Sequence, residues 1–319
     1  MKLLYLTAGA AEMYCGSCLR DNALATALMA RGHEVVLMPI YTPTTTDEKN
    51  VSSTRVFFGG ISVFLEQNVP LFRHTPAFLD KLWDAEWVLK LASKRQIKVD
   101  PTFLGAMTVS MLKGTDGYQK KEVEKLVTWL KHESRFDLVS LPFALLISLA
   151  KPIKDALGCP VVCTLQGEDL FLDQLREPWK SEAMALIRAA VPHVDHFVAV
   201  SEYYAKFMVR YFGIPPEKIS VVPLGIDFTG HEARPVRTNP PYTIGYFARI
   251  APEKGLHVLC EAYHLLRKYD DVPETRLVAG GYLLDEHREY LTSCQTRMKD
   301  WGVADQFTYA GAPDRAGKI

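Results

Sequence analysis

Tyr242-Thr243-Ile244-Gly245-Tyr246-Phe247-Ala248-Arg249-Ile250-Ala251-Pro252-Glu253-Lys254-Gly255 is the stretch that decides the class of fold. Tyr242–Phe247 reads as a short strand, Pro252 interrupts it, and Gly255–Tyr269 carries apolar residues at helical spacing. A strand that runs through a short turn into a helix is the building block of a parallel sheet. The turn itself carries charge. Arg249 stands at the end of the strand, and Lys254 follows five residues later, where the helix begins. Exposed N–H groups at a helix start favour anions. The planar fork of arginine and the compact charge of lysine together suit a diphosphate. The plainer alternative is a surface pair in which Glu253 neutralises Lys254.

The same alternation extends in both directions. Towards the carboxyl end it gives Thr275–Ala279 as strand, Glu286–Trp301 as helix and Gln306–Tyr309 as strand. Towards the amino end it begins with Leu3–Thr7 as strand, Asn22–Ala30 as helix ending at Arg31-Gly32, and Glu34–Ile40 as strand. It resumes with Glu122–His132 (helix), Leu138–Leu141 (strand), Leu145–Ala156 (helix), Val161–Leu165 (strand), Met184–Val191 (helix), His196–Val200 (strand), Glu202–Tyr211 (helix) and Ile219–Val222 (strand). Between these series, Val56–Leu65 suggests a hairpin or paired strands around Gly59-Gly60, and Ala77–Lys94 a helix with Trp83 and Trp87 on one stripe. Thr229–Pro241, with Gly230, Pro235, Pro240 and Pro241 among charged residues, reads as a linker. The expected architecture is α/β with two parallel units, residues 1–232 and 233–319. In such sheets ligands bind beyond the carboxyl ends of the strands, here expected between the units.

Composition bounds the function. The chain has 319 residues with 37 basic and 37 acidic side chains, and 48% of it is apolar. Length and composition fit about two globular domains, and the zero net charge argues against a dedicated nucleic-acid binder. Six scattered cysteines do not form a disulfide scaffold, so free thiols in a reducing, cytoplasmic setting are expected. The amino terminus imitates a signal peptide, but its apolar run is short and reads better as a first strand. The Trp83/Trp87 helix is a candidate for peripheral membrane contact, although an aromatic stripe of this kind is more often core. Cys15-Gly16-Ser17-Cys18 has the spacing of a redox site, yet no second Cys pair or Cys/His cluster completes a metal site. It is expected to serve as a phosphate- or acceptor-facing loop.

Several segments together resemble the retaining glycosyltransferases built from two facing Rossmann-like domains (GT-B), especially the large family-four group. Ala248-Arg249 through Lys254-Gly255 resembles the Gly-Arg-x-x-x-x-Lys-Gly segment, with Ala248 in place of the glycine. Thr164-Leu165-Gln166-Gly167-Glu168-Asp169 resembles the Thr-x-His-Gly-x-Asp loop, Val198–Ser201 the strand that ends in serine, and Val221–Asp227 the Val-Ile-Pro-Asn-Gly-Val-Asp turn. Arg276–Tyr282, with Gly280 and Gly281, resembles the strand and glycine loop that lie near the nucleotide base.

The resemblance implies transfer of a sugar from a nucleoside-diphosphate donor to an unidentified acceptor, with retention of configuration and without a metal or other cofactor. Arg249 and Lys254 would stabilise the departing diphosphate. Gln166 stands where the family usually has histidine. It can hydrogen-bond a hydroxyl or phosphate but cannot carry a proton. Gly9 and the loop through Gly16 would bring backbone close to sugar and phosphates, while Glu168 and Asp169 would either face the acceptor hydroxyl or cap the following helix. The family's Glu-x7-Glu motif finds no counterpart before Ile319, so a truncated second domain is expected, with one bare sheet face exposing Leu277, Phe307 and Tyr309. A nucleotide-sugar epimerase and a non-catalytic sugar-nucleotide binder are the alternatives.

Overall fold

The computed structural model describes residues 1–9, 16–44, 46, 48–68, 72–73, 101–133, 135–232 and 239–318. The Trp83/Trp87 helix, Cys15 and part of the Thr229–Pro241 segment lie outside them. The chain divides into two compact units, Met1–Asp227 and Phe228–Ile319.

The first unit is a six-stranded parallel sheet in the order β2-β1-β3-β4-β5-β6. Its strands are β1 (Lys2–Thr7), β2 (Glu34–Pro39), β3 (Leu138–Leu141), β4 (Val161–Leu165), β5 (His196–Ala199) and β6 (Ile219–Val221). Helices follow as α1 (Gly16–Ala30), α2 (Gly60–Asn68), α3 (Pro101–Leu112), α4 (Lys120–His132), α5 (Ala150–Leu157), α6 (Glu168–Leu172), α7 (Trp179–Ala190) and α8 (Glu202–Phe212).

Parallel strands must be covered on both faces, and side chains alternate along each strand accordingly. Leu4, Leu6, Val139 and Leu141 pack in the main core with Leu126 and Leu130 of α4. Leu3, Val35 and Leu37 face the other way, with Ala25 of α1. Asp137 and Asp195 each precede a strand and set its register: one accepts the Lys2 N–H at 2.7 Å, the other the Val161 N–H at 2.8 Å.

In this unit one expectation fails and another holds only in part. Val56–Leu65 is not a hairpin, because the chain enters α2 at Gly60. The Phe58 N–H donates to the Ile40 carbonyl at 2.9 Å, and Phe57, Phe58 and Val63 reach the core. A helix satisfies its backbone groups internally, so this apolar packing needs no partner strand. The segment Leu145–Ala156 begins as a 3₁₀ turn, Ala144–Leu149, before becoming α5.

The second unit holds β7 (Tyr242–Phe247), β8 (Thr275–Gly280) and β9 (Phe307–Tyr309), paired in parallel in that order. Helices α9 (Leu256–Leu266) and α10 (Arg288–Asp300) pack on one face. That face carries Leu277, Ala279, Phe307 and Tyr309, so these bulky residues are covered rather than bare. The exposed positions are Thr243, Gly245, Phe247, Arg276 and Thr308, on the opposite side of the pleat. The helices choose the face with more apolar surface to bury.

Asp195→Ala should cost about 1–2 kcal/mol at neutral pH by removing the acceptor for both Lys154 and the Val161 N–H. Burial pulls the Asp195 pKa up, but the bonds from Lys154 and Val161 outweigh it and leave it below its ordinary value of 3.8. The stabilisation is therefore present above that value and is lost as pH falls through the lowered one. Urea unfolding of both proteins along a pH series should show the gap narrowing in acid; a gap that is constant into strong acid would contradict the assignment.

Candidate functional site

The carboxyl edge of the first sheet carries most of the loop residues singled out in the sequence. After β1 the backbone turns at Gly9, with φ of 74°. A Cβ there would lie 1.7 Å from the Thr42 carbonyl oxygen, so no larger residue fits without moving the loop after β2. Gly16 opens α1 with nothing within 4 Å of its missing Cβ. Cys18, expected in this loop, is instead buried inside α1.

Gln166, Glu168 and Asp169 come together after β4. Gln166 Nε2 donates to the Pro142 carbonyl at 2.7 Å, which ties this loop to the one after β3. Gly167 takes a left-handed conformation, φ 95°, and so can turn the strand directly into α6. Glu168 is 4% exposed and holds the turn from inside. One of its oxygens accepts the Ala144 N–H at 2.8 Å, and the other accepts the Gln166 N–H at 2.8 Å. It therefore does the work of a cap across two loops. Burial pushes its pKa up, against the lowering effect of those two N–H donors.

Tyr204 on α8 completes the cluster, and the sequence reading missed it. Its hydroxyl accepts the Gly167 N–H at 2.7 Å and lies 2.8 Å from Asp169 Oδ1 and 3.0 Å from Glu168 Oε2. The available signal was positional. Ser201 caps α8 by accepting the Tyr204 N–H, which points the first turn of α8 towards the β4 loop.

In the second unit, Arg249 and Lys254 are both exposed at the carboxyl end of β7. Arg249 bonds Glu253, four residues on, so Glu253 neutralises the arginine and not Lys254 as the surface-pair alternative held. The Glu253 pKa is lowered, first by a backbone hydrogen bond within its own turn and then by Arg249. Lys254 closes the 3₁₀ turn Pro252–Lys254, and Gly255, φ 75°, leads into α9.

Gly280 and Gly281 meet this loop directly. A Cβ on Gly281 would fall 1.8 Å from the carbonyl oxygen of Ala248, the residue before Arg249. The Gly281 N–H donates to the Gly311 carbonyl at 2.8 Å, and the Tyr309 hydroxyl donates to the Gly281 carbonyl at 2.8 Å. The loops after all three strands are thus stapled at one edge, with backbone and two cations presented there. Among the described residues, no group of three or more His, Cys, Asp or Glu could hold a metal ion, and no helix is long and apolar enough to cross a membrane.

Three solved structures share this arrangement of chain. HepE of Anabaena, in complex with UDP and glucose, aligns over 98% of this chain and 70% of its own, with a TM-score of 0.56 at 17% identity. Sucrose-phosphate synthase of Thermosynechococcus elongatus aligns over 98% and 71%, with a TM-score of 0.59 at 13% identity. The lipopolysaccharide outer core galactosyltransferase WaaB aligns over 100% and 70%, with a TM-score of 0.55 at 13% identity. The fold is GT-B, an α/β architecture of two Rossmann-like units. Within it, residues 113–229 match the sequence profile of Glycosyltransferase Family 4. That match spans β3 to β6 of the GT-B chain and includes Gln166, Glu168, Asp169 and Tyr204. No curated protein matches the chain.

Gly281→Ala should destabilise the second unit by at least about 2 kcal/mol, because both the positive φ of 142° and the Ala248 carbonyl reject a side chain. Gly245→Ala, where nothing lies within 4 Å, should cost less than half as much. Thermal unfolding of the two variants checks this; equal losses would contradict the close approach.

Proposed function

We propose that the chain is a glycosyltransferase that takes a hexose from a nucleoside-diphosphate donor, retains its anomeric configuration and uses side-chain cations in place of a metal. The observation that carries the reading is the edge of the second sheet, where Arg249 and Lys254 stand exposed beside the Gly280-Gly281 turn. A glycine turn admits a planar base and a diphosphate close to backbone, and the cations answer the charge that the diphosphate brings.

The chemistry follows from where charge develops. When the bond between the anomeric carbon and the donor oxygen breaks, negative charge accumulates on the phosphate oxygens. Fixed cations lower that barrier because they need no reorganisation at the moment of reaction. Arg249 would exchange the Glu253 carboxylate for a phosphate, trading one hydrogen-bonded anion for another, while Lys254 adds a charge at the same turn. The acceptor would approach the β4 loop, where Asp169 presents a carboxylate and Gln166 a neutral amide. An epimerase would need proton-transfer groups around the sugar, and the Gln166 amide cannot supply one. The retained configuration and the metal independence rest on the motif resemblance. The donor to test first is UDP-glucose, because HepE is described with UDP and glucose.

Incubation with a panel of uridine, guanosine and adenosine diphosphate sugars should give product with one base, in the presence of a chelator and with the donor's anomeric configuration. Arg249→Ala and Lys254→Ala should each lower kcat/KM by about 2–4 kcal/mol of transition-state stabilisation. Near-normal turnover in both variants would remove these residues from the mechanism. Donor binding without any product would favour the binding protein instead.

A further inference from the structure

The cluster around Tyr204 contains more acceptors than its visible hydrogens can serve. A phenol has one hydrogen. The Tyr204 oxygen already receives the Gly167 N–H at 2.7 Å, yet it lies 2.8 Å from one carboxyl oxygen, Asp169 Oδ1, and 3.0 Å from another, Glu168 Oε2. If both carboxyls were ionised, one of these contacts would set lone pair against lone pair. One additional proton removes the conflict.

We propose that Glu168 holds that proton as a neutral carboxylic acid, donates it to Tyr204, and that Tyr204 donates in turn to Asp169, which this directed chain fixes as the single ionised carboxylate of the loop. Tyr204 is thus a positioning residue and Asp169 the acceptor presented to a hydroxyl-bearing ligand. The sugar-facing role of Asp169 rests on the transferase reading; the proton on Glu168 does not.

The location of the proton follows from burial and from the neighbours. Glu168 is 4% exposed, whereas Asp169 is half-buried, and burial penalises the charged form. Among the described residues, the titratable groups that face Glu168 are the Cys163 thiol from β4 and the Tyr204 hydroxyl from α8, and Tyr204 also contacts Asp169. Each is neutral or negative, so each favours a neutral Glu168. The acid form also satisfies every contact. The carbonyl oxygen accepts from Ala144, and the hydroxyl oxygen accepts from Gln166 and donates to Tyr204. Because the folded-state pKa lies above the ordinary value of 4.5, this group's contribution to stability is complete below that value and declines as pH rises through the folded-state pKa.

Carbon NMR of the full chain, labelled at the glutamate and aspartate side-chain carboxyls, tests both halves. Glu168→Gln identifies the Glu168 resonance by its absence. In the wild type that resonance should keep the chemical shift of a protonated carboxyl at neutral pH, where an ordinary glutamate is ionised; a carboxylate shift there overturns the proposal. Tyr204→Phe removes the hydroxyl that accepts the Glu168 proton, so the Glu168 carboxyl should give up its proton at lower pH than in the wild type. A Glu168 titration unmoved in Tyr204→Phe, or moved to higher pH as it would be if Tyr204 donated to Glu168, overturns the relay. The wild-type titration stands by itself should either variant fail to fold, and it is independent of any transfer assay.

Discussion

Parallel pairing is the constraint on which the rest of this molecule depends. Since all strands of each sheet run the same way, every strand delivers the chain to the same edge, and the loops there have to share a small space. Three close encounters show how tightly they do so. Gly9 sits against the Thr42 carbonyl, Gly281 against the Ala248 carbonyl, and the Gln166 amide bonds the Pro142 carbonyl at 2.7 Å. Each joins the loop of one strand to the loop of another. Groups placed on these loops inherit the rigidity of the sheets beneath, which is what a site for a charged, multi-hydroxyl substrate requires.

The two edges handle charge in opposite ways. In the second unit the cations are exposed, and the Arg249–Glu253 pair is half in water, where an ion pair adds little to stability and can be exchanged for a ligand anion. In the first unit Glu168 is buried and satisfied from two loops, so its role is to hold geometry. An exchangeable charge suits binding of a departing diphosphate. A fixed network suits orientation of a neutral hydroxyl.

Much of this was legible in the sequence. Tyr242–Phe247 is the β7 strand to the residue, and the alternation of short apolar runs with amphipathic segments gave the two parallel sheets. What escaped did so for physical reasons. Helix α3 carries apolar residues on all sides and a glycine at 105, where a Cβ would lie 2.9 Å from the Trp179 ring, so it has no polar stripe to reveal it. The stretch around Gly59-Gly60 has strand-like residues, but tertiary packing of Phe57 and Phe58 made it a helix. The bare face of the second sheet was anticipated, with its side inverted, because alternation along a strand does not say which face attracts the helices. At the site, acidic residues in a loop are visible as letters, whereas the Tyr204 hydroxyl that contacts both Glu168 and Asp169 comes from more than thirty positions away.

The claim at the centre of this account is that a nucleoside diphosphate binds at the loop edge of the second sheet. Backbone amide NMR of the full chain titrated with UDP, and with GDP and ADP as comparisons, addresses it directly. The account predicts that one nucleotide shifts the amides of Arg249, Lys254, Gly255, Gly280 and Gly281 together and saturably. Saturable shifts confined to other residues, or none at any of these five with any nucleotide, would contradict it.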